Sequence, residues 1–248
     1  MIHFNNVTTY LSGKLIIPKL EMKIPAGKTH VLLGSSGCGK TTLLRLIAGL
    51  ITPREGEVSV DQKPVRSAGL KELTRKLGYV VQDGGLLPHM TAKENILLPV
   101  KIHSENLQSA ERRLKDLIVM TNFDLALMDS FPSQLSGGQK QRVALMRGLI
   151  LDPEIILLDE PLSALDPVVR MKLQIQLKKI FEKLKKTVVL VTHDLNVASY
   201  LGDTISLMDQ GRIVQMGQFQ EFIDNPKNKF VKDFVKSQIP SENRELSQ

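Results

Sequence analysis

The sequence of 248 residues contains no tryptophan and a single cysteine, Cys38. One cysteine excludes a disulfide bond within the chain. Aromatic residues make up only 4% of the sequence, which leaves few side chains on which the bases of single-stranded nucleic acid could stack. The composition therefore argues against a disulfide-stapled scaffold and against a protein that binds single strands.

Long apolar runs are missing as well. No stretch approaches the roughly 18–20 apolar residues that a membrane-spanning helix requires. Residues 1–6 lack the basic region and the apolar stretch of a secretion signal. We therefore expect a cytoplasmic protein whose role at a membrane, if it has one, comes through a partner.

The net charge of +7 would suit nucleic acid or anionic lipid as a partner. Much of it, however, lies in residues 170–186, where cations share a helical pattern with apolar residues. The solvated face of a helix explains this pattern better, and we predict no nucleic-acid partner. The cations are Arg170, Lys172, Lys178, Lys179, Lys183, Lys185 and Lys186, and the apolar residues are Leu173, Ile175, Leu177, Ile180 and Leu184.

A glycine-rich loop follows the apolar strand at residues 31–33 and leads into an apolar helix that begins near Lys40. It fits the pattern G-x-x-x-x-G-K-[ST], and the flanking strand and helix are the context that confirms a phosphate-binding loop. Glycines let backbone N–H groups curl around anionic oxygens, and the helix start adds unpaired N–H groups. This phosphate loop consists of Gly34, Ser35, Ser36, Gly37, Cys38, Gly39, Lys40, Thr41 and Thr42.

The motif assigns roles within the phosphate loop. Lys40 is placed to reach the β- and γ-phosphates, and Thr41 is placed to put its hydroxyl on Mg²⁺. A glycine-rich turn in an ordinary α/β domain is the alternative, but it does not account for the Lys-Thr pair in this context. We predict that the chain binds a nucleoside triphosphate.

Cys38 lies within this loop, at a helix start and beside Lys40. Both features would lower the pKa of the thiol and open it to alkylation, with bound nucleotide protecting it. The alternative, which we favour, is that Cys38 is a small residue that the loop tolerates.

Two more motifs lie near predicted helix starts and strand ends. A second predicted helix begins at Ser136, Gly137 and Gly138, and its start is a second place where an anion could bind. The apolar run at residues 155–158 predicts a strand buried on both faces, and it ends in Asp159 and Glu160, where α/β sheets place their ligand chemistry. Helix capping or a salt bridge is the alternative for this carboxylate pair.

Gln82 and His193 each follow a predicted strand. Gln82 precedes two glycines, as in a movable loop that senses a ligand, but the signal is weak by itself. A lone histidine at a strand end is more often structural. Tyr10 could stack on an adenine ring, or could simply pack near a strand edge.

The alternation of strands and helices predicts an α/β fold. Short strands are expected first, at residues 2–4, 15–17 and 20–24. Residues 91–128 have a helical pattern that interrupts the alternation, as an inserted helical lobe would. Residues 241–248 are polar, and we expect them to be disordered.

Together these motifs resemble the ATP-binding subunit of ABC transporters, over residues 2–237. Almost no other protein with a phosphate loop carries the ABC signature sequence, which residues 135–139 match. The other matches are residues 34–41 to the Walker A motif, Gln82 to the Q-loop, Asp159 to the end of the Walker B strand, residues 163–166 to the D-loop and His193 to the H-loop. Six motifs in this order weaken the alternatives for Gln82, the carboxylate pair and His193.

The resemblance implies an α/β fold with a RecA-like P-loop NTPase core, an N-terminal antiparallel β-subdomain and an inserted α-helical subdomain. We expect one ATP-binding domain over residues 1–237. The core and the β-subdomain would occupy residues 1–86 and 152–237, and the helical subdomain with the signature would occupy residues 87–151. Residues 238–248 would form a polar tail.

The resemblance also implies ATP hydrolysis, with Mg²⁺ organised by Thr41, Gln82 and Asp159. Glu160 is the expected general base, and His193 is expected to contact the γ-phosphate and to hold the attacking water in line. The predicted catalytic residues are Glu160, His193, Gln82 and Lys40. The predicted ATP contacts are Tyr10, all nine residues of the phosphate loop, and Ser136, Gly137, Gly138 and Gln139.

In the family, Ser136, Gly137 and Gly138 of one subunit close over the γ-phosphate held by the phosphate loop of another. We therefore expect an ATP-dependent head-to-tail dimer, formed with a second copy of the chain or with a paralogous ATPase.

Residues 82–91, 164–167 and 228–234 are similar to importer ATPases, especially the osmoprotectant branch for glycine betaine, choline and carnitine; polar-amino-acid importers share much of this similarity. The resemblance implies transmembrane permease partners that couple through residues 82–94, an indirect solute-binding partner, and a peripheral location at the cytoplasmic face of the membrane. The sequence ends at Gln248, before the C-terminal regulatory domain of larger members. The alternatives are the ATPase of a lipid- or drug-exporting assembly and a soluble ABC ATPase without a transport role.

Overall fold

The computed structural model describes residues 1–67 and 69–238. Its strands are β1 (Ile2–Leu11), β2 (Lys14–Ile24), β3 (Thr29–Gly34), β4 (Glu55–Val60), β5 (Lys63–Pro64), β6 (Leu77–Val80), β7 (Ile155–Asp159), β8 (Thr187–Thr192), β9 (Thr204–Asp209) and β10 (Arg212–Gly217). Its helices are α1 (Lys40–Ile47), α2 (Leu70–Lys76), α3 (Ala92–His103), α4 (Leu107–Thr121), α5 (Gly137–Leu149), α6 (Pro167–Leu184), α7 (Leu195–Leu201), α8 (Phe219–Asp224) and α9 (Lys229–Gln238).

The strands form two sheets. Strands β2-β1-β4-β5 make an antiparallel sheet of four strands, and β10-β9-β3-β8-β7-β6 make a sheet of six strands. In the larger sheet β9, β3, β8, β7 and β6 run parallel to their neighbours, and β10 is antiparallel to β9. The antiparallel sheet and the helical insertion described below confirm the predicted fold class.

The first two strands are longer than the sequence predicts. Instead of three short strands, β1 and β2 form one hairpin of 10 and 11 residues. Irregular pairing breaks the apolar alternation between Phe4 and Val7, and Asn6 and Lys19 adopt positive φ angles of 49° and 43°. These β-bulges resemble strand ends in the sequence, because each extra residue shifts the side chains to the opposite face.

The larger sheet is buried on both faces. Along β3, Val31 and Leu33 pack into one apolar cluster, while Leu32 packs into a second cluster on the other face. The second cluster also contains side chains of the antiparallel sheet and Leu43 and Leu44 of α1. Helix α1, which follows the phosphate loop, therefore lies between the two sheets.

The inserted helices α3, α4 and α5 pack against the first apolar cluster through residues such as Ile96, Leu117 and Val143. Helix α3 begins with a capping box in which Thr91 and Glu94 exchange hydrogen bonds. All three helices lie inside the segment predicted as the helical subdomain, although the boundaries at residues 87 and 151 stay predictions.

The basic stretch forms helix α6, as expected. Leu173, Leu177 and Ile180 are buried, whereas Ile175 is exposed and does not join the apolar face. Ile175 lies two residues from both Leu173 and Leu177, so a helical turn of 3.6 residues places it on the opposite side. None of the helices within the described residues is long and apolar enough to cross a membrane.

The polar tail predicted at residues 238–248 overlaps the last helix by one residue. Gln238 is the last residue of α9 and is not part of a tail. The expected disorder of residues 241–248 lies outside the described residues.

Parallel strands bring several motifs to one edge of the larger sheet. Strand β3 ends in Gly34, β7 ends in Asp159 and β8 ends in Thr192. Because these strands are neighbours in the order β3-β8-β7, the residues after them meet at the carboxyl edge, where sheets of this kind bind ligands.

Candidate functional site

The phosphate loop is shaped by glycines that no other residue could replace without strain. Gly37 and Gly39 have φ angles of 79° and 107°. A Cβ atom on Gly39 would lie 2.8 Å from Ile17 Cδ1, and one on Gly34 would lie 2.4 Å from Met208 O. Helix α1 begins without a side-chain cap, so the N–H groups of its first turn face the loop. This is a cradle for an anion.

Lys40 is folded over the phosphate loop and is only 4% exposed. Its ammonium group donates hydrogen bonds of 2.8 Å to Gly34 O and to Ser35 O. These carbonyl groups hold a buried cation in place before any anion arrives, which reduces the entropy that ligand binding must remove.

A cavity of about 300 Å³ opens beside this lysine. It is lined by Ile16, Ser36, Gly37, Gly39, Lys40, Thr41, Thr42, Gln82 and Glu160. The structure thus brings two predicted site residues from outside the phosphate loop, Gln82 and Glu160, to the same cavity as the loop.

Thr41 and Asp159 meet across the sheet edge. Thr41 Oγ1 donates a 3.0 Å hydrogen bond to Asp159 Oδ1. Burial raises the pKa of Asp159, and the hydrogen bond from Thr41 partly opposes that shift. A hydroxyl and a carboxylate with the Gln82 amide nearby form an all-oxygen donor set, which suits Mg²⁺ shared with phosphate oxygens. Within the described residues no cluster of three or more His, Cys, Asp or Glu side chains forms a self-sufficient metal site.

Glu160 follows β7 directly and has a left-handed backbone, with φ of 46°. This conformation is uncommon for a residue with a side chain, and here the surrounding loop supports it. The Glu160 N–H donates to Val191 O at 3.1 Å, and Glu160 O accepts from Ser163 Oγ at 3.0 Å. The side chain is directed toward His193, whose Nδ1 lies 3.1 Å from Glu160 Oε2.

His193 lies in the switch loop, our name for residues 192–195, which run from the last residue of β8 to the first residue of α7. Its side chain is 52% exposed, so one edge of the imidazole ring is free to meet a ligand while Nδ1 faces Glu160. Asp194 caps α7 by accepting hydrogen bonds from Asn196 N and Val197 N. The switch loop is therefore tied to the helix that follows it.

The signature turn, residues 135–139, does not line this cavity. Ser136 Oγ accepts a 3.4 Å bond from Gln139 N, and Gln139 Oε1 accepts a 2.7 Å bond from Ser136 N. Gly138 packs so closely under Val169 that a Cβ atom would lie 2.7 Å from Val169 Cγ1. Ser136 and Gly137 are exposed. The predicted γ-phosphate contacts at 136–139 are thus not assembled with the phosphate loop within one chain.

Tyr10 does not line the cavity either. Its side chain is 40% exposed, and the Arg54 guanidinium lies 5.1 Å from the centre of its ring. Ile16, on the neighbouring strand, is the residue of this hairpin that reaches the cavity. Sequence reasoning missed Ile16, because the bulges in the hairpin concealed which residues of β2 face the phosphate loop.

The structure contradicts the reactive-thiol interpretation of Cys38, which was not the favoured interpretation of the sequence. The residue is 7% exposed, and burial raises the pKa of its thiol, with the nearby Lys40 charge only partly opposing the shift. The structure agrees with the alternative, a small residue enclosed by the loop.

Two residues that the sequence did not indicate form hydrogen bonds to the backbone of loops at the site. Arg147 of α5 donates hydrogen bonds of 2.6 Å to Gly84 O and 2.8 Å to Gly85 O, in the loop that follows Gln82. Gln238 of α9 contacts the backbone of the switch loop. Neither residue stands in a recognisable motif, and each is far along the chain from its partners.

Comparison with known families gives one clear match. The model of the family described as ABC transporter matches residues 17–163. This match includes the phosphate loop, Gln82, the signature turn and the carboxylates at 159 and 160.

Among curated proteins, the carnitine transport ATP-binding protein OpuCA of Listeria monocytogenes is 40% identical over 236 residues, which cover 95% of this chain and 59% of that protein. The choline transport ATP-binding protein OpuBA of Bacillus subtilis is 39% identical over 236 residues, which cover 95% of this chain and 62% of that protein. The chain thus spans about three fifths of the length of these relatives.

Among solved structures, the chain is similar to the dimeric structure of a post-hydrolysis state of the ATP-binding cassette MJ0796 bound to ADP and Pi. The TM-score is 0.79 at 35% identity, and the match covers 88% of this chain and 99% of that one. The shared fold confirms the predicted P-loop NTPase class.

Proposed function

The chain belongs to the ABC transporter family, and we propose from this membership that it hydrolyses ATP to power an importer of a quaternary-amine osmoprotectant or similar small polar solute. The observation that carries the proposal is the meeting of Glu160 and His193 beside the phosphate loop. The named activities of the carnitine and choline relatives support the choice of solute class.

The phosphate loop would bind the triphosphate of ATP. Lys40 would exchange its carbonyl partners for the β- and γ-phosphates, and the free N–H groups of α1 would bind further oxygens. Bound Mg²⁺, with Thr41 and Asp159 among the groups around it, would neutralise charge on the phosphates.

Glu160 would accept the proton of the attacking water. Its carboxylate is only 16% exposed and faces the cavity, so it is screened from bulk water while remaining close to where the γ-phosphate would lie. His193 holds the other side of this carboxylate and would contact the γ-phosphate through its exposed edge. A positioned general base contributes about 10²–10⁴ in rate.

We propose that the working unit is a head-to-tail dimer. Within one chain the signature turn lies apart from the cavity, with Ser136 and Gly137 exposed. A second copy would supply these groups to the γ-phosphate, and would receive the same from the first. The dimeric state of the similar MJ0796 cassette supports this arrangement.

A permease would dock in a groove that Arg147 connects to the loop after Gln82, although none of residues 82–94, the coupling segment expected from the sequence, lines it. The groove has a volume of about 720 Å³ and is lined by Tyr79 and Gly78 of β6, by Leu98, Pro99, Ile102 and His103 of α3, and by Arg147 and Leu151, among others. Ile102 is largely exposed. Arg147 touches both this groove and the glycines that follow Gln82, so a docked helix could reach the site through it. The chain would then associate peripherally with the cytoplasmic face of the membrane.

The variant Glu160→Gln tests the reaction and the dimer together. The amide cannot accept the proton, so we expect phosphate release to fall at least about a hundredfold, while a fluorescent ATP analogue binds with unchanged affinity. Because ATP would persist in the site, gel filtration with Mg-ATP should show a dimer.

Glu182→Gln is the matched control, since it makes the same change on the exposed face of α6. Hydrolysis by Glu160→Gln at the rate of the unmodified chain would refute the general base. A monomer at saturating Mg-ATP would refute the dimer.

A further inference from the structure

The switch loop is held by a side chain from the far end of the described chain. Gln238 Oε1 accepts a 2.7 Å hydrogen bond from Leu195 N, and Gln238 Nε2 donates a 3.0 Å hydrogen bond to His193 O. Both polar atoms of the amide are used, and they bond to the two residues that flank Asp194. The partners lie 43 and 45 positions apart in sequence.

Helix α9 presents this glutamine on its buried face. Val231 and Val235 are buried in the apolar cluster that also contains Leu195 and Ala198 of α7. Gln238 follows them at the spacing i, i+4, i+7, which places all three side chains on one side of the helix. The apolar contacts therefore fix the register of α9, and the register brings Gln238 to the switch loop.

The contacts of Asp194 show which part of the loop Gln238 secures. Asp194 already occupies the N–H groups of Asn196 and Val197, so the N–H of Leu195 is one of the helix-start donors that its side chain does not take. Gln238 satisfies that donor and also binds the carbonyl of the residue whose imidazole meets Glu160. Its two bonds thus fix the backbone on either side of Asp194, directly after the residue that carries the imidazole.

We propose that Gln238 is a positioning residue for His193: the clasp between its amide and the switch loop holds the imidazole against Glu160 in the geometry that hydrolysis needs. The proposal rests on the proposed ATPase function, and it adds that the last helix of the described chain acts directly on the catalytic histidine. Anything that displaces α9 would therefore change turnover more than nucleotide binding.

The test compares two variants of Gln238. Gln238→Met keeps the length of the side chain but removes both hydrogen bonds. Gln238→Glu keeps an acceptor for Leu195 N but loses the donor to His193 O. Ser237→Ala is the control, because Ser237 is exposed and its hydroxyl donates to Phe234 O of its own helix. The readouts are kcat and KM for Mg-ATP, and the rate of hydrogen exchange at the Leu195 amide.

We expect Gln238→Met, which removes two hydrogen bonds of ordinary strength that act on the imidazole only through the backbone, to lower kcat about threefold to tenfold, with KM changed less than about twofold. Gln238→Glu should lower kcat as well, since the bond to His193 O is the one nearest the imidazole. The Leu195 amide should exchange faster in Gln238→Met, and Ser237→Ala should match the unmodified chain.

A second pair of variants separates positioning from simple support of the fold. In single-turnover measurements, Gln238→Met should cause no further loss once His193→Ala is present, because the clasp acts through the imidazole. An equal loss in both backgrounds would overturn the proposal, and so would a kcat equal to that of Ser237→Ala.

The proposed function fails separately, if the unmodified chain with Mg-ATP releases no phosphate. In that case the exchange rate of the Leu195 amide still tests the clasp, and unchanged exchange in Gln238→Met would overturn it.

Discussion

Two glycine-rich turns in this chain each begin a helix, yet they meet the helix start in opposite ways. At the phosphate loop, α1 begins at Lys40 behind Gly39 and has no side-chain cap. At the signature turn, α5 begins behind Ser136 and has a complete capping box between Ser136 and Gln139. The first loop lies next to the cavity with its lysine buried, while the second lies at the surface.

We infer from this difference that the two turns bind nucleotide in different ways. An uncapped helix start supported by two sheets is a site that already has its shape, so it can bind an anion within one chain. A capped and exposed helix start is stable without a ligand and offers its groups outward. We infer that the first turn binds nucleotide alone and that the second acts only on nucleotide held by another copy.

Removing the buried cation should have the largest effect and should be confined to the first turn. Lys40→Met removes two charge-assisted hydrogen bonds to phosphate, each worth about 1.5–3 kcal/mol, so affinity for a fluorescent ATP analogue should fall at least about a hundredfold. Lys172→Met, which makes the same change on the exposed face of α6, is the control. Affinity within threefold of the unmodified chain would contradict the assigned role.

Lowering the pH should destabilise the sheet that carries the phosphate loop, while the residues of both turns stay chemically unchanged. His30 lies on β3, is fully buried, and has Nε2 3.0 Å from Ser206 Oγ. Burial lowers the pKa of His30 to about 4. The unfolded chain therefore binds a proton that the folded chain rejects, and stability is complete above about pH 6.5 and falls toward pH 4.

The free energy of unfolding should fall by at most about 3.4 kcal/mol, at 1.36 kcal/mol for each pH unit between 6.5 and 4. Urea unfolding at several pH values should show a smaller loss in His30→Gln than in the unmodified chain. His89→Gln, at an exposed position, should behave like the unmodified chain. If the free energy of unfolding fell equally with pH in all three proteins, the burial of His30 would not be the cause of the loss in acid.

Removing the cap of the second turn should separate catalysis from binding. Ser136→Ala loses the side-chain oxygen that caps α5, which costs about 1 kcal/mol of stability, and it also loses the group offered to a second copy. We expect hydrolysis to fall about tenfold or more while a single chain binds nucleotide unchanged. The exposed Ser133→Ala is the control. A parallel loss of nucleotide affinity would place the signature turn in the binding site of its own chain.

Thiol chemistry compares the two turns directly. Cys38 is buried and its thiol pKa is raised, so maleimide should label it about tenfold or more slowly than a cysteine at the exposed position of Ser136. The comparison uses the unmodified chain and the double variant Cys38→Ser with Ser136→Cys. Equal labelling rates would mean that the phosphate loop opens as freely as the signature turn.

Local patterns predicted most of the elements but failed where the chain departs from regular periodicity. The apolar run that became β7 and the helix after the phosphate loop lie where the sequence placed them. The hairpin of β1 and β2 was divided into short strands, because the bulges near Asn6 and Lys19 look like strand ends. Ile175 was assigned to the wrong face of α6 for a related reason, since apolar character alone does not determine the helical register.

The motifs also predicted Gln82, Asp159, Glu160 and His193 as site residues, because they match the ABC motifs in order, although Gln82 and His193 are weak signals by themselves. No sequence pattern predicted which of these residues are in contact with one another. The contact between Glu160 and His193 spans 33 positions, and that between Arg147 and Gly85 spans 62. Contacts of this kind depend on strand order, which single-sequence patterns do not specify.

The sequence by itself predicted the chemistry, with glycines, a lysine and a threonine for phosphate and with carboxylates and a histidine for hydrolysis, and it determined the family to which these residues together belong. Such signals are local, since each motif lies within a few residues. Only the tertiary structure decided that Lys40 is buried over its own loop, that Cys38 is enclosed and Tyr10 lies outside the cavity, and that Gln238 reaches the switch loop. These outcomes depend on how sheets and helices pack, because burial and long-range hydrogen bonds belong to the assembled fold.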